Sequence, residues 1–305
     1  LNPAYLNTDS IAGTATPFDL TGVFDKGGYL MAVGAWSLDG GAGSDDLVAF
    51  VTNRGEVAIY SGTDPTTNFV LKGVYEMGAP LGRRCLTKVG ADLAVVSVDG
   101  VLPLSRALIT DRAAAITETI TKNIQPVMNQ SARDYRDNFG WQLISYPRGT
   151  RAILNVPVTE NVEQHQYIMN VVTGAWCRFK RENANCWAVF NDKLYYGGNS
   201  GKVIEADRQG YDDDGSIEFD METAYGYCGA RGRLKDFTML RALLTTDGQV
   251  QPGLGINVDF SRGSTLGPTS FVTDSAALWD VALWDAGTWP EVQRIVTDWI
   301  SGAGI

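Results

Sequence analysis

Short apolar runs separated by polar, glycine-rich breaks fill most of this chain. Residues 29–36 (YLMAVGAW), 47–52 (LVAFVT), 56–60 (EVAIY) and 70–75 (VLKGVY) set the pattern. Residues 86–89, 93–98 and 101–104 continue it, and 152–158 and 166–172 repeat it. Runs this short, rich in β-branched and aromatic residues, predict β-strands. Asn53-Arg54-Gly55, Asp99-Gly100, Thr173-Gly174 and Ser200-Gly201 lie between such runs. A tight hairpin needs positive φ there, and Gly adopts it without steric cost. Trp176, Phe179, Trp187, Phe190, Tyr195 and Tyr196 give the strands large side chains to bury. Residues 37–46, with three glycines and three aspartates, predict a loop.

Gly55, Gly100, Gly149, Gly201 and Gly248 recur at intervals of 45, 49, 52 and 47 residues. Such an interval is about the length of one four-stranded propeller blade, ~40–50 residues. Many short strands without intervening helices suit a sandwich or propeller and not a βαβ fold. The expected class is all-β, a propeller-like array of antiparallel hairpins. Residues 1–28 read as loop or linker, 29–210 as blades, and 211–305 as further blades or a second β domain. Residues 217–227, 237–246 and 254–260 are strand candidates there.

One segment departs from the pattern. Residues 105–137 carry Ile116, Ile120 and Ile124 at helical spacing, with Thr110-Asp111 as an N-cap. Pro126 is expected to end or kink this helix, and a second short helix is expected over 128–135. Such an excursion either projects as a subunit contact or caps the domain's own core. Near the end, Trp279, Trp284 and Trp289 are spaced by five, which matches neither strand nor helix. They read as core residues or as anchors on an extended arm, 278–289.

The formal charge of −10 argues against a protein that grips nucleic acid by neutralising phosphates. The apolar runs are too short to span a bilayer, so no membrane anchor is expected. The chain begins at Leu1 and stops at Ile305 without terminal signals, and is expected to be incomplete at both ends. Cys85, Cys177, Cys186 and Cys228 lack metal or redox spacing. Cys177 and Cys186 could face each other across strands, and buried free thiols are the simpler reading. His165, the only histidine, reads as a solvated loop residue. Asp212-Asp213-Asp214-Gly215 lacks the alternating ligands of a calcium loop. No P-loop or dinucleotide fingerprint is present. No catalytic, cofactor or metal residue is therefore expected, and the chain does not read as an enzyme.

Phe139-Gly140-Trp141-Gln142, Tyr146-Pro147, Asn155-Val156-Pro157, Thr173-Gly174-Ala175-Trp176 and Leu194-Tyr195-Tyr196-Gly197-Gly198 resemble β-propeller tail proteins of bacteriophages. The type is the tail nozzle, or tail tubular protein B, of short-tailed phages, related in role to packaged-DNA stabilisation proteins. Gly82-Arg83-Arg84-Cys85 and the 278–289 arm share the resemblance. It implies a structural virion protein, a homohexameric ring docked on adaptor or portal-side proteins and bearing fibres or spikes. Double-stranded DNA would be retained by the ring and pass its lumen without specific binding during ejection. Assembly would take place in the bacterial host cytoplasm. Ile116, Ile120, Ile124, Trp279, Trp284 and Trp289 become the expected subunit-interface residues. The alternative is a carbohydrate-binding or carbohydrate-active propeller of a receptor-binding tail component.

Overall fold

In a computed structural model, the chain divides into two compact units, Leu1–Gly215 and Ser216–Ile305. The structure describes residues 2–7, 9–39, 44–107, 112–208, 211–212, 215–229, 231–235, 237–240, 243–246, 253–261, 293–296 and 300–304.

The first unit is a succession of antiparallel meanders. A short pair, β1 (Ala4–Tyr5) and β2 (Thr16–Pro17), precedes them. Sheet one holds β3 (Leu30–Asp39), β4 (Ser44–Thr52), β5 (Glu56–Ser61) and β6 (Val70–Glu76). Sheet two holds β7 (Leu86–Val89), β8 (Asp92–Ser97) and β9 (Gly100–Pro103). Sheet three holds β10 (Gln142–Tyr146), β11 (Arg151–Thr159), β12 (Glu163–Asn170) and β13 (Trp176–Phe179). Sheet four holds β14 (Ala184–Phe190), β15 (Lys193–Gly198) and β16 (Val203–Ala206). Gly55, Gly100, Gly149 and Gly201 fall at hairpins of sheets one to four in turn. The glycine interval therefore counts sheets.

The sheets meet through their first strands. β3 lies against β7, β7 against β10 and β10 against β14. Gly34 on β3 permits the first meeting: a Cβ there would lie 2.8 Å from Leu93 Cδ2 and 2.9 Å from Leu86 Cδ1. Period-2 alternation sends each strand's side chains to two faces. Ala49, Val51, Val57 and Ile59 of sheet one join Val95, Val101, Leu154 and Val156 in one core shared by sheets one to three. Phe50, Ala58 and Tyr60 face the other way.

That outer face is covered by the N-terminal residues. Phe18 stacks on Phe50 at 5.7 Å and meets Tyr60 edge-on at 5.3 Å, and Tyr60 stacks on Phe69 at 4.9 Å. The described residues before β3 thus have little regular structure but pack on sheet one through Phe18 and Leu20 and do not act as a free linker. Their anchor is Glu56, buried on β5. Its two carboxylate oxygens accept from the backbone N–H groups of Asp25 (3.0 Å) and Lys26 (2.9 Å).

The helical segment covers the edge of sheet two, where sheets one and three carry a fourth strand. It runs through α1 (Leu104–Ala107), α2 (Arg112–Ala115), two 3-10 turns (Ile116–Glu118 and Ile120–Ile124) and α3 (Gln125–Tyr135). Thr121 Oγ1 accepts from Val101 N–H at 3.2 Å and Gln125 Nε2 donates to the Asp99 carbonyl at 2.8 Å, so side chains replace ladder bonds. α3 buries Met128, Ser131 and Ala132, and Ser131 Oγ meets Tyr167 OH at 2.8 Å.

Several expectations are corrected. The single helical stripe of Ile116, Ile120 and Ile124 does not form, because Thr119 is extended (ψ 145°) and breaks the helix between 3-10 turns. Pro126 sits in the first turn of α3 instead of ending a helix, since its missing N–H costs nothing there. The 37–46 loop is shorter than expected: Ser37, Leu38 and Asp39 pair with Asp46, Asp45 and Ser44. His165 lies within β12 opposite Val156, with Nε2 2.9 Å from Glu163 Oε1. The Thr110-Asp111 cap and Asp213-Asp214 lie outside the described residues.

In the second unit, Phe237–Leu240 pairs with Ile300–Gly304 and Leu243–Thr246 with Gln293–Val296. The expected strand over 217–227 is irregular, with Ile217, Phe219 and Met221 exposed. The alternating pattern there finds no neighbouring strand among the described residues. The run 254–260 ends in a turn closed by a Val258–Ser261 bridge.

Replacing Glu56 by Gln keeps its size but turns an amide donor toward a backbone donor. Hydrogen bonds to charged groups contribute about 1.5–3 kcal/mol each. Glu56→Gln should cost about 2 kcal/mol in urea denaturation, with the N-terminal residues becoming more sensitive to protease.

Candidate functional site

The outward face of sheet four is one apolar surface that the described residues leave exposed. Trp187, Leu194, Tyr196 and Ala206 point into sheet three. By alternation Ala188, Phe190, Tyr195 and Val203 point away. Phe190 is 67% exposed and Val203 78%. Lys193 Nζ and Glu205 Oε1 pair at 3.1 Å across the same face. Phe190 and Val203 stand at opposite corners of this face, with Ala188 and Tyr195 between them, and exposed apolar side chains grouped on one face mark interaction surfaces.

What aims this face is a seam between sheets three and four. Half of the seam is apolar: Tyr146, Ile153 and Ile168 against Trp187 and Leu194. The other half is a row of amides. Gln142, Asn155 and Gln166 lie directly opposite one another on β10, β11 and β12. Asn155 is fully buried, and its amide capacity is filled. Nδ2 donates to the carbonyls of Gly140 (2.8 Å) and Ala184 (2.9 Å), and Oδ1 accepts from Gln166 Nε2 (2.9 Å) and Trp187 Nε1 (3.0 Å). Gln142 engages both backbone groups of Trp187. Its Oε1 accepts from the N–H and its Nε2 donates to the carbonyl, each at 2.9 Å.

Arg84, just before β7, reaches the same place. Nη1 donates to the Asn185 carbonyl at 2.9 Å and to Gln142 Oε1 at 3.4 Å. Its guanidinium lies 5.3 Å from the ring centroid of half-exposed Phe139. One side chain thus touches segments of sheets two, three and four.

Of the expected interface residues, Ile120 and Ile124 pack partly buried against the shared core, and Ile116 is 37% exposed. They do not converge with the sheet-four face. Trp279, Trp284 and Trp289 lie outside the described residues. The role of the amides was missed, although they interrupt apolar alternation at inward positions: Gln142 before Ile144, Asn155 after Ile153, Gln166 before Ile168. A polar residue at an inward strand position is the signal that was available.

Cys177 and Cys186 lie on strands of different sheets, and all four cysteines are free thiols. Burial pushes the Cys85 thiol up to about 12 and raises Cys177 less strongly. Among the described residues no three His, Cys, Asp or Glu side chains gather as a metal site, and no helix is long and apolar enough to cross a membrane. Neither a scan against protein-family models nor a search of curated proteins found a match to this chain.

Asn155→Leu should cost about 2–4 kcal/mol, because it leaves two buried carbonyls and two donors without partners. Asn155→Asp should cost at least as much, since a carboxylate cannot donate to Gly140 and Ala184; thermal unfolding checks both. In native protein at pH 8, a thiol reagent should modify exposed Cys228 before Cys177, whose thiolate burial disfavours, and reach Cys85 only on unfolding. Mass spectrometry of the labelled peptides reads the order.

Proposed function

We propose that this chain is a structural protein of a bacteriophage tail, a component of a nozzle ring that surrounds the DNA channel. The sheets are blades of a β-propeller, and copies of the chain assemble into a homohexamer on the head-side tail proteins. The ring retains the packaged genome and conducts it during ejection. The observation that carries the reading is the order of the sheets. Four meanders follow one another with first strands adjacent, and the last presents exposed Phe190 and Val203. Stacked sheets make a stiff wall, and an apolar end face supplies an adhesive surface between copies. The net charge of −10 supports passage of DNA without adhesion.

Electron microscopy of the purified chain should show six-fold rings. A chain that stays monomeric at the highest attainable concentration overturns the ring. Phe190→Asp combined with Val203→Asp should abolish rings while shifting monomer stability by no more than about 0.5 kcal/mol per site, as expected for exposed positions.

A second reading, a carbohydrate-binding propeller, is favoured by Phe139. Its half-exposed ring, backed by the Arg84 guanidinium at 5.3 Å, offers a stacking surface to a sugar. Glycan-array binding lost in Phe139→Ala would select this reading over the first.

A further inference from the structure

The second unit carries an exposed aromatic ring on a backbone that does not favour it. Val258 and Ser261 close a tight turn, the Ser261 N–H donating to the Val258 carbonyl at 2.9 Å. Both central residues have positive φ, Asp259 at 51° and Phe260 at 59°. Turns of this kind take Asn, Asp or Gly, and a bulky side chain is strained there. Phe260 has no compensating burial, for it is 70% exposed. Backbone strain that burial does not repay gathers at ligand-binding sites.

The segment 222–225 holds this turn at two points. Asn257 Nδ2 donates to Glu222 Oε1 at 2.9 Å, and Tyr225 OH donates to the Ser261 carbonyl at 3.3 Å. The Tyr225 and Phe260 rings meet at 4.8 Å between centroids, tilted by 38°. Tyr225 thus backs one side of the Phe260 ring and leaves the rest open. Among the described residues, Glu222, Thr223, Ala224, Tyr225 and Phe260 line one hollow of about 560 Å³. That lies within the range of small-ligand sites, about 300–1,000 Å³.

The lining selects the ligand. An open aromatic face stacks on the apolar face of a sugar ring, and a carboxylate accepts from its hydroxyls. A purely apolar ligand would desolvate Glu222 and return nothing to it. A phosphate or an acidic sugar would be repelled by it. An organic cation would suit the carboxylate, but such cations are held in cages of several rings. Here two rings stack on each other and offer one open face.

We propose that this hollow is a binding site for a neutral sugar. Phe260 is the stacking platform, and Glu222, oriented by Asn257, accepts from the hydroxyls. All the residues belong to the second unit, so the site rests on neither the ring nor the Phe139 reading.

Saturation-transfer NMR of the chain tests this, with lactose, maltose, cellobiose and chitobiose in turn and choline as a cationic control. Transfer to at least one of the sugars is expected, and none to choline. Transfer to no sugar, or to choline instead, overturns the proposal. Phe260→Asn removes the platform while Asn adopts positive φ more readily. It should lose the transfer with the unfolding temperature unchanged or raised. Transfer that survives it overturns the proposal. So does a fall in unfolding temperature of more than about 4 °C, which would make Phe260 a packing residue. Glu222→Gln should weaken binding about tenfold, and undiminished binding overturns its role as acceptor. Phe139→Ala should leave binding unchanged, and loss of binding there overturns the placement of the site.

Discussion

The docking of sheet four onto sheet three depends on one buried amide. Asn155 has no exposed surface, and its four hydrogen-bonding positions are filled by groups from three separate segments. One carbonyl comes from the chain entering β10, the amide from β12, and β14 supplies both the Ala184 carbonyl and the Trp187 indole. Moving sheet four by a single residue would leave buried donors and acceptors unpaired. An apolar seam tolerates sliding at small cost, whereas a saturated polar network has one geometry. The register between sheets three and four is therefore set by hydrogen bonding, and that register fixes where Phe190 and Val203 point.

The contrast with the other meetings is instructive. Sheets one, two and three share a continuous apolar core, and their closeness is set by volume: Gly34 leaves just enough room for Leu86 and Leu93. Packing of that kind is strong but permissive about rotation. The Gln142–Asn155–Gln166 row gives up some apolar area and gains specificity. The guanidinium of Arg84 then extends this specificity back to sheet two, because it reaches both Gln142 and the backbone of Asn185.

Much of the fold was legible because hairpins announce themselves locally. Asn53-Arg54-Gly55 and Asp99-Gly100 stand at turns, and Gly55 and Gly100 have the positive φ that the sequence argument required. The helical stripe was misread because Ile116, Ile120 and Ile124 carry the right spacing on a backbone that tertiary contacts break at Thr119. That residue is buried, and Thr121 is drawn to the edge of β9. His165 was misplaced because its polar neighbours are strand residues whose side chains bond across the seam. Gln164 and Gln166 look like loop chemistry until their partners on sheet four are known. Phe139 to Gln142 and Asn155 were singled out by resemblance, but their shared physical role, holding the seam, is non-local and so invisible to periodicity. For the candidate face, Phe190 was legible as a large strand residue, but not its outward direction, which depends on the bulge between Ala184 and Cys186.

The two ends of the sheet stack meet the same requirement differently. A sheet face bearing Phe50 and Tyr60 cannot stay in water without cost, and sheet one solves this with its own N-terminal residues: Phe18 lies on the aromatic rings while Glu56 holds the backbone down. Sheet four bears Phe190, Tyr195 and Val203 on its outer side and keeps Phe190 and Val203 largely exposed. The cover on sheet one is held by a carboxylate gripping two backbone N–H groups, an attachment that needs no particular partner side chain. The outward face of sheet four has instead the Lys193–Glu205 pair beside its apolar residues, which adds charge and directionality. A generic cover suits an end that is to be closed off. An apolar surface carrying an oriented ion pair suits an end that is to recognise something, and in the proposed ring this asymmetry assigns the contact between copies to sheet four.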